Sequence, residues 1–179
     1  MVEAPNANRW TYHGLFLGLA ALIIFAKLLP LHPGPGRVPG PDVLLLVTFA
    51  WLMRRPDFVP LVLPLVVFFW ADTLFVRPLG LWTALVLVAV EFLRAREASM
   101  REQSFLLEWL SVSTVITAMF LANAMILAIF VVEQPSLGST LIRLLATVLM
   151  YPIVVALAAR AFGIRKISPG EVDHKGRRR

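Results

Sequence analysis

Residues 105–132 read FLLEWLSVSTVITAMFLANAMILAIFVV, a run of 28 residues whose one charge, Glu108, lies near its start. About 20 such residues suffice for a helix to cross a hydrocarbon core of roughly 30 Å. The run is therefore expected to cross a bilayer with a strong tilt, or to project beyond the lipid. Glu133, Gln134, Pro135 and Ser136 stop it, and a second long run follows over 137–162. Working back towards the N-terminus, four further apolar runs occupy 13–31, 43–53, 58–76 and 79–93. The first is closed by His32, Pro33, Gly34, Pro35 and Gly36, residues that do not continue a helix. The second holds only about 11 residues, roughly 17 Å of helix. Its flanks, a thinned bilayer or neighbouring helices must support it. In the third, Pro60 fits a first turn, whereas Pro64 is expected to bend the helix. The fourth ends in the mixed-charge stretch Arg94 to Glu102, which reads as the longest polar loop inside the chain.

The expected fold is thus all-α, a single membrane domain of six transmembrane helices, with a short segment 1–12 before it and a basic tail 163–179 after it. The apolar runs are continuous rather than alternating, which argues against a β-barrel. Composition agrees: of 179 residues, 59% are hydrophobic and only 16% charged, and the mean hydropathy is +0.78. A soluble domain would need a far larger polar shell. The net charge of +6 does not indicate nucleic acid, because the Lys and Arg residues sit at the ends of apolar runs rather than in a patch with stacking aromatics.

Orientation in a bilayer explains those charges better. Of the 17 Lys and Arg, Lys27, Arg37 and Arg77 fall on one side, Arg143 lies within the sixth run, and the rest fall on the other side. The positive-inside rule then puts both termini of this multi-pass protein in the cytoplasm. Trp10, Tyr12, Trp51 and Trp109 fall near the cytoplasmic ends and Trp82 near an outer end, as interfacial aromatics do. No A-x-A site follows the first run before the Pro/Gly loop, so that run is expected to remain an uncleaved span.

No catalytic constellation is legible. There is no H-E-x-x-H, G-x-S-x-G or Walker A sequence, and His13, His32 and His174 share no helix face that could hold a metal. With no cysteine there is neither a disulfide nor a thiolate site. No enzyme activity, metal or cofactor is expected. Gly14 and Gly18 form G-x-x-x-G on the first helix, a face for a partner or, by preference, for internal helix packing. Thr114, Ala118 and Ala122 make a similar stripe on the fifth. Among ionisable residues, Lys27, Glu91 and Glu108 read as boundary residues. Asp72 and Arg143 do not. Asp72 lies roughly 22 Å of helix rise beyond Asp57 and Arg143 roughly 10 Å beyond Ser136, depths that are comparable in helices running opposite ways. Opposite charges at one depth are the cheapest way to keep either in lipid, so the two are candidates for an intramembrane ion pair between the third and sixth helices; the alternative is that Arg143 snorkels outward and Asp72 reaches interfacial water. Asn123 reads as an interhelical hydrogen bonder.

Several local features occur in an order that resembles the rod-shape MreD family across nearly the whole chain. Pro41-Asp42-Val43-Leu44-Leu45-Leu46 runs through Trp51 to Pro56; Asp72 is followed by Pro78-Leu79-Gly80; Tyr151-Pro152 precedes a basic tail. The chain departs from the family at Phe68-Phe69-Trp70-Ala71, where a small glycine is usual. The resemblance implies Asp72, Gly80 and Pro152 as motif residues and a bundle similar to the substrate-binding subunits of energy-coupling-factor transporters. It also implies a non-enzymatic component of the lateral cell-wall machinery in the bacterial inner membrane, working with an MreC-like bitopic protein, MreB-like filaments, a RodA-like glycosyltransferase and a penicillin-binding transpeptidase. The alternative is a small-molecule-binding transport subunit, which calls for convergent polar and aromatic groups in a cavity.

Overall fold

The computed structural model describes residues 5–29, 39–100, 103–131 and 135–162. These form six α-helices: α1 (Pro5–Leu28), α2 (Val43–Arg54), α3 (Val62–Leu74), α4 (Leu81–Met100), α5 (Phe105–Ile129) and α6 (Leu137–Phe162). No strand occurs among the described residues. Three helices are long and apolar enough to cross a membrane, over Trp10–Leu28, Phe105–Ile129 and Leu137–Ala161. This is a membrane protein. The loop residues His32 to Gly36, Arg37, Glu133 and the tail 163–179 lie outside the described residues.

The short helix α2 is enclosed by its neighbours. From Leu44 to Arg54 every residue of α2 is buried, because α1, α4 and α6 all pack against it. Around it α1 packs on α3, α3 on α4, α4 on α5 and α5 on α6. A helix of 12 residues spans only about 18 Å, short of a hydrocarbon core of roughly 30 Å, so a crossing here draws on its flanks or a thinned bilayer. Its neighbours, however, leave lipid no access to it. Its aromatics lock the centre: Phe16 of α1 meets Trp51 at 5.7 Å between ring centroids. On the outside of α6, Leu141, Leu145, Leu149, Ile153 and Leu157 are exposed, at a spacing that aligns them on one face. An apolar exterior of that length is stable against hydrocarbon, not water.

Several boundaries differ from the sequence reading. α1 begins at Pro5 rather than His13, and α4 continues to Met100 through the stretch read as a polar loop. That stretch holds Arg, Glu and Ala, strong helix formers, without Gly or Pro, and Glu91 meets Arg94 one turn on at 3.6 Å. Polarity ended the apolar run there but not the helix. A 3₁₀ turn, Pro56–Phe58, leads into the third run, and α3 starts only at Val62. Pro64 therefore falls in the first turn of α3, where its missing N–H has no intrahelical acceptor to lose, and the expected bend is not needed. α6 continues through Pro152. The proline cannot donate to the Val148 carbonyl four residues back, and the Trp109 indole N–H of α5 donates to that oxygen instead, at 3.0 Å.

Candidate functional site

Two buried polar clusters sit at opposite ends of α2, one around Asp42, which precedes its first residue, and one around Arg54, its last. Asp42 is only 2% exposed. Its backbone N–H donates to Thr147 Oγ1 of α6 at 3.0 Å, and the Thr147 hydroxyl donates to the Arg143 carbonyl at 2.6 Å. Three cations converge on its carboxylate. Lys27 Nζ of α1 lies 3.2 Å from Oδ1, while Arg143 Nη2 of α6 lies 2.6 Å and Arg77 Nη2 of the α3–α4 connection 3.9 Å from Oδ2. Burial alone would raise this carboxyl, but the charges of Lys27, Arg143 and Arg77 outweigh it and hold the group well below the usual carboxylate range. The position before α2 adds the favourable end of a helix dipole.

The cations are backed by rings. Arg77 lies 5.2 Å from the Phe75 centroid and 5.5 Å from that of Trp82; Arg143 lies 5.9 Å from Trp82 and 5.8 Å from Phe120. Trp82 and Phe120 meet edge to face at 5.3 Å. Beside them is a cavity of about 330 Å³, bordered by Arg77, Trp82, Phe120, Asn123, Thr140 and Arg143 among others.

Asp72 and Arg143 do not form the candidate pair. Arg143 is held by Asp42, and α3 packs on α1 and α4 rather than facing α6. Asp72, fully buried, serves α4: its Oδ2 accepts the Thr83 backbone N–H at 3.0 Å and the Thr83 hydroxyl at 2.8 Å. This satisfies an amide in the first turn of α4 that has no partner within its own helix. Gly80 makes the approach possible, its φ of +80° being a left-handed conformation that glycine adopts without strain. Asp72 and Gly80 are therefore one device, an acceptor at the end of α3 and the turn that brings the start of α4 onto it.

At the other end of α2, Arg54 Nη1 lies 2.6 Å from Glu108 Oε1 of α5, and the Tyr151 hydroxyl of α6 donates to the same oxygen at 2.9 Å. All three residues are buried. Tyr151-Pro152 thus engages the Glu108-Trp109 pair of α5 twice, through the Tyr151 hydroxyl and through the carbonyl that Pro152 frees. Arg94 Nη2 completes this end by donating to the Val59 carbonyl at 2.6 Å. Gly14 and Gly18 take no part in packing: a Cβ built on either meets nothing within 4 Å. The preferred reading of that face as internal packing is not realised. Asn123 lines the cavity instead of bridging helices in the core.

Sequence reasoning missed Asp42, Lys27, Glu108 and Tyr151 as a polar framework. The Pro41-Asp42 step before an apolar run was an available helix-start signal. Chemically, both clusters hold helices together. The Thr147 hydroxyl donates to a carbonyl and accepts a backbone N–H, so no base faces it. Among the described residues no group of three His, Asp or Glu could hold a metal. No family model, curated protein or solved structure matches the chain.

Proposed function

We propose that this chain is a non-enzymatic scaffold of the bacterial inner membrane, with six spans and both termini cytoplasmic, that belongs to the rod-shape machinery and serves there as an MreD-like subunit. The observation that carries the scaffold reading is how its charges are used. Asp42 ties α1, α2, α6 and the α3–α4 connection at one end, and Glu108 ties α2, α5 and α6 at the other. Side chains committed to one another in this way stiffen a bundle and leave its exterior apolar for partner helices. The order of the Asp42, Asp72–Gly80 and Tyr151-Pro152 segments supports the family reading, since each has a definite structural task in this bundle.

Its partner in this reading is a bitopic MreC-like protein, with MreB-like filaments, a RodA-like glycosyltransferase and a penicillin-binding transpeptidase further along the assembly. The open Gly14/Gly18 face of α1 is the candidate contact for a single transmembrane helix, because small residues let a second backbone approach closely. Co-purification from native membranes tests this. The bitopic protein is expected to accompany the wild-type chain and to be weakened by Gly14→Leu with Gly18→Leu; its absence from wild-type preparations overturns the assignment. One observation favours the second reading, a small-molecule-binding transport subunit: the cavity beside Trp82 combines polar and aromatic groups.

A further inference from the structure

We propose that the cavity at the Asp42 end is a binding site for a phosphate group, held by Arg77 and Arg143 with the rings of Trp82 and Phe120 as its apolar wall. The site stands on this end of the bundle alone and applies under either functional reading.

Charge is the first argument. Lys27, Arg77 and Arg143 share one carboxylate, that of Asp42. The other acid whose charge reaches Arg77 is Asp72, bonded to Thr83 through Oδ2 and with its buried Oδ1 making no hydrogen bond. Counting both acids, the described residues of the cluster still carry an excess of positive charge beside a cavity.

Donor geometry is the second. A guanidinium offers five N–H groups in a planar fork. Among the described residues the Arg77 side chain makes no hydrogen bond, its nearest carboxylate oxygen being 3.9 Å away, although only 22% of that side chain is exposed. Arg143 uses Nη2 on Asp42. The Arg77 N–H groups are thus not committed to any acceptor among the described residues, and an anion in the cavity can take them. Both guanidiniums border the cavity and flank Trp82. A phosphate presents enough oxygens to bridge two such forks, which a single carboxylate does poorly. The first turns of α4, at Leu81 and Trp82, and of α6, at Ser139 and Thr140, also border it, adding the positive ends of two helix dipoles.

Size and lining set the rest of the ligand. About 330 Å³ is near the lower limit for ligand pockets, room for a phosphate and a short adjoining piece. Leu81, Trp82, Phe120 and Leu127 offer that piece an apolar wall. A lipid headgroup and a soluble phosphate ester share this chemistry.

The test uses the intact chain in a neutral detergent, with ligand retention read by native mass spectrometry. The probes are dioctanoyl phosphatidic acid, dioctanoylglycerol and glycerol 3-phosphate. A single phosphatidic acid is expected to be retained and dioctanoylglycerol not. Arg77→Gln, which removes no hydrogen bond within the bundle, should weaken phosphatidic acid about tenfold or more, the loss expected for one charge-assisted contact. Asn123→Asp, which puts a carboxylate into the cavity wall, should weaken it as well. Competition by glycerol 3-phosphate identifies a soluble ester as the source, and its failure to compete identifies a lipid headgroup; both support the site. Equal retention of dioctanoylglycerol overturns the proposal, as does phosphatidic acid affinity within about twofold of wild type in both variants.

Discussion

Asp42→Asn removes the one charge that three cations share while keeping the size of the side chain. The asparagine still offers an oxygen to Lys27 or Arg143, but Lys27, Arg77 and Arg143 are left to repel one another beside the start of α2. Removing one member of a buried ion pair costs about 3–5 kcal/mol. The carboxylate itself is 3% exposed, but the side chains of Lys27, Arg77 and Arg143 are 28%, 22% and 29% exposed, so they recover some hydration. The expected loss is therefore near the lower end, about 3 kcal/mol. Arg143→Gln leaves Asp42 two other cations and should cost less. The double variant should be more stable than the two single losses added together, as coupled partners require. Asp72→Asn keeps an acceptor for Thr83 and should cost about 1 kcal/mol. Reversible unfolding of the purified chain in mixed micelles, read by pulse proteolysis, measures all four. Because the folded Asp42 carboxyl titrates below its unfolded value, its contribution is full above the ordinary carboxylate range of about 3.9 and is lost as pH falls through the folded value. The gap between wild type and Asp42→Asn should stay constant from pH 7 to pH 5 and narrow only below about pH 4. A loss under about 1 kcal/mol for Asp42→Asn, or a larger loss for Asp72→Asn, would refute the central place given to Asp42.

At the other end of α2, Tyr151→Phe removes one hydrogen bond to a charged acceptor and should cost about 1.5 kcal/mol, whereas Arg54→Gln strips the buried Glu108 of its cation and should cost about 3 kcal/mol or more by the same unfolding assay. Equal losses would mean that Arg54 and Glu108 are not a true pair. For topology, cysteine placed at Ser136 should react with an impermeant reagent in intact cells, and cysteine at Ser99 only after permeabilisation. The chain has no native cysteine to interfere, and the reverse labelling pattern would invert the orientation.

The sequence carried the helices better than the contacts between them. Apolar runs marked α2 and α6 closely, because in both cases Pro and charged residues flank the run. The end of α4 is not legible in polarity, because helix propensity runs on through Arg94 and Arg96 where the apolar run stops. The Asp72–Arg143 expectation rested on axial depth, which the rise per residue gives, but a contact also needs the direction in which each side chain faces and which helices are neighbours. Neither follows from one sequence. Lys27 and Glu108 read as boundary residues for a related reason: a charge near the end of an apolar run is usually solvated, and only packing reveals that Asp42 and Arg54 lie beside these two. Gly80 was singled out by the resemblance alone; its left-handed turn and the capping of α4 by Asp72 supply the physical reason.

The proposed role is tested most directly by depleting the protein in its native host and following cell shape and growth together by microscopy. A scaffold of the lateral wall machinery predicts that rods widen and become spheres as the chain is lost, with rescue by the wild-type chain and weaker rescue by Asp42→Asn. Cells that keep their rod shape while losing uptake of a nutrient would contradict that role and establish the transport reading in its place.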